Sequence, residues 1–306
     1  MSALTQQTAN ELGVSVFSRY ATLAGKEVHY MYWLPKGLAD GDNKKVVVCW
    51  HGLNRNGRDF DWIAVRLAAK LNLPVICPDT IGRGFSQWAE NPEFEYRLGF
   101  YHQIVTELLD ALNIQKVFWI GTSMGGLIGM NAAARLEGRV ERLLINDIGP
   151  EVPVEAIDRI KKYAAVPPTF GTIAEMEAFL RAAYAPIGPA SDAFWRHVTE
   201  FSSRRLSDGK LTTHYDARII QVLDADNAEA VARGESLWPT WEVYDQIKCP
   251  TLVFHGVNSD LCLPVIVEKM ESRGPKPKVV HFEGIGHTPM FNNEEQFNLV
   301  VDFLFA

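Results

Sequence analysis

Residues 117–126 read VFWIGTSMGG, an apolar run followed directly by a serine between small residues. The run is typical of a buried strand, and the residues after the serine begin a segment with helical spacing. A sharp turn from strand to helix leaves little room beside the turn residue, so the positions two before and two after it must be small. Gly121 and Gly125 meet this requirement. The pattern predicts that Ser123 lies at a strained corner with an accessible hydroxyl.

The rest of the chain alternates between strand and helix patterns. Two early strands are predicted around a hairpin turn at 23–26, where Gly25 permits positive φ. The further predicted strands are short apolar runs at 46–50, 75–77, 117–120, 143–145, 251–254 and 279–282. The predicted helices cover 60–71, 100–112, 123–136 and 294–304. Such alternation indicates an α/β fold with a doubly wound, mostly parallel sheet.

One interval, 150–247, interrupts this alternation. It is rich in aromatic residues and contains helical patches, but no convincing buried strand. We interpret it as a helical cap inserted between two strands of a core formed by 1–149 and 248–306. A second independent domain is the alternative.

Composition excludes several classes of partner. The chain has 306 residues, 47% of them hydrophobic, and a net charge of −7 without runs of Lys or Arg, which argues against nucleic acid. Segment 1–10 is polar, unlike a signal peptide, and no apolar stretch is long enough to span a membrane. Four scattered cysteines favour a reduced, cytoplasmic protein. Neither cofactor nor metal motifs occur. The expected partner is a small-molecule substrate, and the sequence leaves a homodimer open.

A serine hydroxyl needs a neighbouring base before it becomes a good nucleophile. Among eight histidines, His287 differs because it lies on a glycine-supported loop, after the last predicted strand and before the final helix. A loop there can reach across the edge of the sheet where open α/β folds bind ligands. We therefore predict that His287 is the base for Ser123.

The imidazole in turn requires a carboxylate, and two aspartates qualify. Asp260 follows the strand at 251–254, and Asp147 follows the strand at 143–145. Both preserve the chain order of serine, aspartate and histidine, so order does not separate them. We favour Asp260 and keep Asp147 as the alternative acid, because a helix cap would also explain Asp147.

The loop after the third strand, 51–55, supplies further candidates. Gly52 lets this loop approach a substrate closely, so the N–H groups of Leu53 and Met124 would form an oxyanion hole. Asn54 and Arg55 follow and are candidate substrate-binding residues, as is Trp195 in the aromatic interval. His51 itself is interpreted as a residue that stabilises the loop.

Taken together, these motifs resemble the α/β-hydrolase superfamily over nearly the whole chain. The resemblance depends on HGL at 51–53, PDTIGRGFS at 78–86, GTSMGG at 121–126, NDIGP at 146–150, Asp260, and Gly286 with His287. Within the superfamily, the chain is similar to cap-bearing serine esterases and to hydrolases that cleave carbon–carbon bonds of ring-fission products. The resemblance implies a Ser/Asp/His triad and, for the esterases, an acyl-enzyme.

We therefore expect hydrolysis of a carboxylic ester with a small or medium apolar acyl group. Carbon–carbon bond hydrolysis and acyl transfer are alternative reactions of the same fold. A slow-turnover receptor that keeps the pocket and the triad is an alternative of a different class. A pocket-facing Arg55 would favour an anionic substrate.

Overall fold

The computed structural model describes residues 3–41, 44–136 and 138–306. Its strands are β1 (Val14–Leu23), β2 (Lys26–Pro35), β3 (Lys45–Trp50), β4 (Val75–Pro78), β5 (Lys116–Thr122), β6 (Val140–Asn146), β7 (Thr169–Phe170), β8 (Ser203–Arg205), β9 (Leu211–Thr213), β10 (Thr251–Gly256) and β11 (Lys278–Phe282). Its α-helices are α1 (Ala3–Leu12), α2 (Asp61–Leu71), α3 (Pro92–Glu95), α4 (Leu98–Ala111), α5 (Met124–Arg135), α6 (Val154–Ala164), α7 (Ile173–Ala183), α8 (Asp192–Ser202), α9 (Arg218–Arg233), α10 (Trp241–Tyr244), α11 (Pro264–Ser272) and α12 (Glu294–Phe305).

Eight of the described strands form one sheet in the order β1-β2-β4-β3-β5-β6-β10-β11. The strands from β4 to β11 in this order run parallel, whereas β2 is antiparallel to both β1 and β4. The predicted hairpin turn is confirmed, since Ala24 and Gly25 both have positive φ. The predicted doubly wound, mostly parallel α/β fold is confirmed as well.

Helices cover both faces of this sheet because the central strands are apolar on both sides. On one face, α4 and α5 pack over Trp50 and Trp119, whose buried rings stack with centroids 5.4 Å apart. On the other face, α2 buries Ile63 and Leu67 as its spacing predicts, and α12 packs beside it. Burying a side chain of this size stabilises the fold by roughly 1.5–3 kcal/mol.

The interval 150–247 lies between β6 and β10 and contains α6 to α10. It also contains a small antiparallel sheet in the order β7-β9-β8, which differs from the purely helical cap that we predicted. These strands have two or three residues each, too few for an alternating pattern to emerge in the sequence. The division into core and cap stays a prediction.

The polar N-terminal segment 1–10 is helical where the structure describes it. Residues 1–2 of the polar segment 1–10 lie outside the described residues, and α1 begins at Ala3. Every helix in the described ranges is too short or too polar to cross a membrane.

Candidate functional site

Ser123 occupies the turn between β5 and α5. Its backbone has φ 52° and ψ −119°, a strained conformation for a residue with a side chain. The turn is tight because a Cβ on Gly121 would overlap the carbonyl of Gly125, and one on Gly125 would overlap the carbonyl of Trp50. Only glycine fits at these two positions, as the sequence predicts. The turn therefore holds the Ser123 side chain at the carboxyl edge of the sheet.

His287 lies within hydrogen-bond reach of this serine. Its Nε2 is 3.0 Å from the Ser123 hydroxyl oxygen, and its Nδ1 is 2.8 Å from Oδ2 of Asp147. Because a carboxylate only accepts, Nδ1–H donates to Asp147 and leaves Nε2 free to accept from Ser123. A hydroxyl, an imidazole and a carboxylate in this order allow the hydroxyl to transfer its proton.

Asp147 directly follows β6 and is completely buried. Its Oδ1 accepts a 2.8 Å hydrogen bond from the N–H of Gly256, and its Oδ2 accepts 2.6 Å and 2.8 Å bonds from Ser259 and His287. Both oxygens of this buried carboxylate therefore have hydrogen-bond partners. Gly256 and Ser259 hold the carboxylate in place, and its bond to Nδ1 in turn orients the imidazole.

Among the described residues no hydrogen bond joins Asp260 to His287, so the favoured prediction of a His287–Asp260 pair is wrong and the alternative, Asp147, occupies that position. Asp260 instead forms a bidentate ion pair with Arg159 of α6. The arginine Nη2 donates to Oδ1 at 2.9 Å, and its Nε donates to Oδ2. Both side chains are partly exposed, at 38% and 46%. The physical reason is sheet order: β6 lies beside β5, so a residue just after β6 lies nearer Ser123 than one further along the loop after β10.

Leu53 and Met124, whose N–H groups the sequence predicts for an oxyanion hole, both lie beside Ser123. Leu53 lies in the loop after β3, and Met124 is the first residue of α5, where the helix dipole favours negative charge. In the described part of the chain, neither N–H donates to a protein acceptor. Gly52 brings the loop close, because a Cβ there would lie 3.6 Å from the Ser123 Cβ.

His51 stabilises this loop, in keeping with its interpretation from the sequence. Its Nδ1–H donates to the Gly52 carbonyl at 2.7 Å, and its Nε2 accepts from the N–H of Thr80 at 2.9 Å. Burial lowers the pKa of His51 to about 4. The residue is therefore neutral at physiological pH and serves as a fixed hydrogen-bonding bridge.

Arg83 is a residue that the sequence reasoning missed. It is completely buried, its Nε donates to the Leu53 carbonyl at 2.7 Å, and its Nη1 donates to Ile81 and Tyr101 at 2.8 Å. Among the described residues, no carboxylate forms an ion pair with it. Its guanidinium places a positive charge beneath the loop that carries the Leu53 N–H. The sequence signal was its place in the glycine-rich turn at 78–86, which we used only as one of the motifs that carry the family resemblance.

A cavity of about 260 Å³ opens over Ser123 and His287. The three predicted substrate-binding residues, Asn54, Arg55 and Trp195, all line it. Arg55 is not a free cation, however, because its Nε donates to Asp59 at 2.8 Å, its Nη2 bonds the other Asp59 oxygen, and its Nη1 donates to Ser202 at 2.7 Å. In the described residues, no group of His, Cys, Asp or Glu side chains is arranged to hold a metal ion.

Comparisons with known proteins agree with this architecture. A model of the alpha/beta hydrolase family matches residues 47–298. The 3-hydroxybutyrate-oligomer hydrolase of Cupriavidus necator is 36% identical over 267 residues, covering 86% of this chain and 89% of that protein. The 2-(acetamidomethylene)succinate hydrolase of Mesorhizobium japonicum is 26% identical over 245 residues, covering 79% and 81%.

Among solved structures, an alpha/beta hydrolase from Novosphingobium aromaticivorans has a TM-score of 0.79 and 29% identity, covering 95% of this chain and 98% of that one. The family model spans more than half of the chain, and the Cupriavidus relative is similar along nearly its whole length. The chain is a hydrolase and belongs to the α/β hydrolase family.

Proposed function

We propose that this hydrolase cleaves carboxylic esters, with Ser123 as nucleophile, His287 as general base and Asp147 as the acid that orients it. The observation that carries the proposal is the continuous hydrogen-bond chain from Ser123 through His287 to the buried Asp147 at the base of a cavity. The arrangement supplies an activated nucleophile without any metal ligand.

The reaction follows from these positions. The Ser123 oxygen attacks the ester carbonyl carbon while its proton passes to Nε2 of His287, and Asp147 stabilises the resulting imidazolium. The negative oxygen of the tetrahedral intermediate accepts hydrogen bonds from the N–H groups of Leu53 and Met124. The intermediate then expels the alcohol, which takes the proton from His287. Water attacks the acyl-enzyme by the same steps, releases the acid and restores Ser123.

We further propose short oligoesters of hydroxy acids as the substrate class. The support is the similarity to the 3-hydroxybutyrate-oligomer hydrolase over most of both chains. The cavity suits such a substrate because it combines aromatic walls at Tyr163, Tyr184 and Trp195 with the polar side chains of Asn54 and Arg159. Arg55 gives little support to carbon–carbon bond hydrolysis of an anionic substrate, because Asp59 neutralises the charge of Arg55.

The test compares wild type with Ser123→Ala on p-nitrophenyl acetate, butyrate and octanoate and on the linear 3-hydroxybutyrate trimer. Ser272→Ala is the matched control, since its hydroxyl is exposed on α11 and bonds only the Lys269 carbonyl. We expect many turnovers in wild type and control and none in Ser123→Ala. A single-turnover burst in wild type would indicate the receptor alternative, and full activity of Ser123→Ala would refute the proposal.

A further inference from the structure

Two ion pairs line the cavity of about 260 Å³ over the candidate triad. Arg55 pairs with Asp59, and Arg159 pairs with Asp260. The formal charges within each pair cancel. An anionic group that enters this cavity must therefore find its cation in one of the two pairs, and the two differ in how firmly they hold together.

The Arg55 pair is held firmly. Its side chains are only 12% and 11% exposed, and Asp59 accepts from both Nε and Nη2 of the arginine. The third nitrogen, Nη1, donates to Ser202, and the guanidinium lies 5.3 Å from the ring centroid of Tyr184. Separation of this pair would leave a buried carboxylate without its cation, which is strongly unfavourable. Arg55 is therefore not available to a ligand.

The Arg159 pair is held loosely by comparison. Both of its side chains are partly exposed, so water solvates the two charges when they separate, and such pairs contribute little to stability. Asp260 accepts from Nε and Nη2 only. Because a guanidinium has five N–H donors, this bidentate contact leaves three of them for other acceptors. Arg159 can therefore release Asp260 and accept another carboxylate in its place.

Tyr163 supplies a second donor beside Arg159. It lies one turn further along α6 and lines the same cavity. Burial raises the pKa of Tyr163, an effect that the neighbouring Arg159 only partly offsets, so its hydroxyl stays protonated at neutral pH and can donate. A guanidinium with a hydroxyl next to it suits the two oxygens of a carboxylate, since charge-assisted hydrogen bonds of this kind are strong and directional.

A linear oligoester of a hydroxy acid ends in a carboxylate, which simple esters lack. Resting on the proposed function, we propose that Arg159 binds this terminal carboxylate of the substrate and that Asp260 is the internal carboxylate it displaces. Arg159 then sets a preference for the free acid over neutral esters, and Asp260 weakens that preference by competing for the same guanidinium. The contact acts on substrate binding rather than on kcat, because the carboxylate keeps its charge throughout the reaction.

The test measures Kd by isothermal titration calorimetry in the Ser123→Ala background, with the linear 3-hydroxybutyrate trimer and with its methyl ester. The readout is the ratio of the ester Kd to the acid Kd. Addition of Arg159→Gln should lower this ratio by about three- to fivefold, and addition of Asp260→Asn should raise it by a similar factor, as expected for a partly exposed charge pair. Lys161→Gln is the matched control, since Lys161 lies on the same helix, forms a partly exposed pair with Asp224 and does not line the cavity.

Two further readouts separate a bound carboxylate from a merely structural role. Arg159→Lys keeps the charge but not the planar fork, so its ratio should fall between those of the parent and Arg159→Gln. In 1 M NaCl the preference of the parent for the acid should shrink, because salt screens exposed charges. Thermal melts establish that each variant folds.

The proposal is overturned if Arg159→Gln keeps the parent ratio, if Asp260→Asn fails to raise it, or if Lys161→Gln lowers it as much as Arg159→Gln does. Absence of binding by both forms of the trimer would overturn it as well. Wild-type enzyme that cleaves neither the trimer nor p-nitrophenyl butyrate would instead show that the proposed function itself fails.

Discussion

Replacement of Asp147 by asparagine should inactivate the enzyme, whereas the same change at Asp260 should not. Asp147 lies 2.8 Å from the His287 ring nitrogen, so its charge and that of the imidazolium are separated by roughly 4 Å between their centres. At an effective dielectric constant near 20, two such charges attract by about 4 kcal/mol. Each 1.4 kcal/mol is tenfold, so kcat should fall about a thousandfold in Asp147→Asn. Loss of the correct imidazole tautomer adds up to another tenfold.

Asp260→Asn removes only a partly exposed ion pair with Arg159. Pairs of this kind are worth about 0–1 kcal/mol, so kcat should change by less than about fivefold. The assay is steady-state hydrolysis of p-nitrophenyl butyrate, with circular dichroism melts for both variants. An inactive Asp260→Asn beside an active Asp147→Asn would refute the assignment of the acid and restore the expectation drawn from the sequence alone.

Three further predictions follow from the loop geometry. Gly125→Ala should be poorly folded in thermal melts, because its Cβ would overlap the Trp50 carbonyl. Arg83→Met should lower kcat about five- to a hundredfold at nearly constant KM, since the Leu53 carbonyl loses its 2.7 Å donor; an unchanged kcat contradicts this. His51 has a folded pKa of about 4, below its unfolded value, so stability is lost as pH falls from about 6.5 to 4. Urea melts should show that the free energy of unfolding falls by about 3 kcal/mol over this pH range in wild type, and by less in His51→Gln.

Much of the fold could be predicted from local patterns. The parallel strands are continuous apolar runs because helices bury both of their faces, and this leaves a clear signal in segments such as 117–120. The small strands β7 to β9 left none because they are too short to repeat. Helix α1 also escaped notice, since its segment is mostly polar.

The residues of the candidate site differ in the same way. Some can be predicted from their neighbours in the sequence, and others depend on contacts between distant parts of the chain. Ser123 and His287 lie on glycine-supported turns whose geometry depends on neighbouring residues, so sequence spacing points to both. The choice between Asp147 and Asp260 depends on which strand lies beside β5, and on Arg159, a hundred residues distant, which takes up the second carboxylate. The burial of Arg83 beneath Leu53 is likewise a property of the folded chain alone.

The aromatic walls of the 260 Å³ cavity come from a different part of the chain than its reacting groups. Ser123, Asp147 and His287 all follow strands of the large sheet, whereas Tyr163, Tyr184 and Trp195 lie in 150–247. The residues proposed for the reaction and the aromatic residues that line the cavity thus lie in separate stretches of the sequence. Mutations that diversify α6 to α8 can explore new substrates while the reacting atoms keep their positions, which makes this interval a natural target for directed evolution.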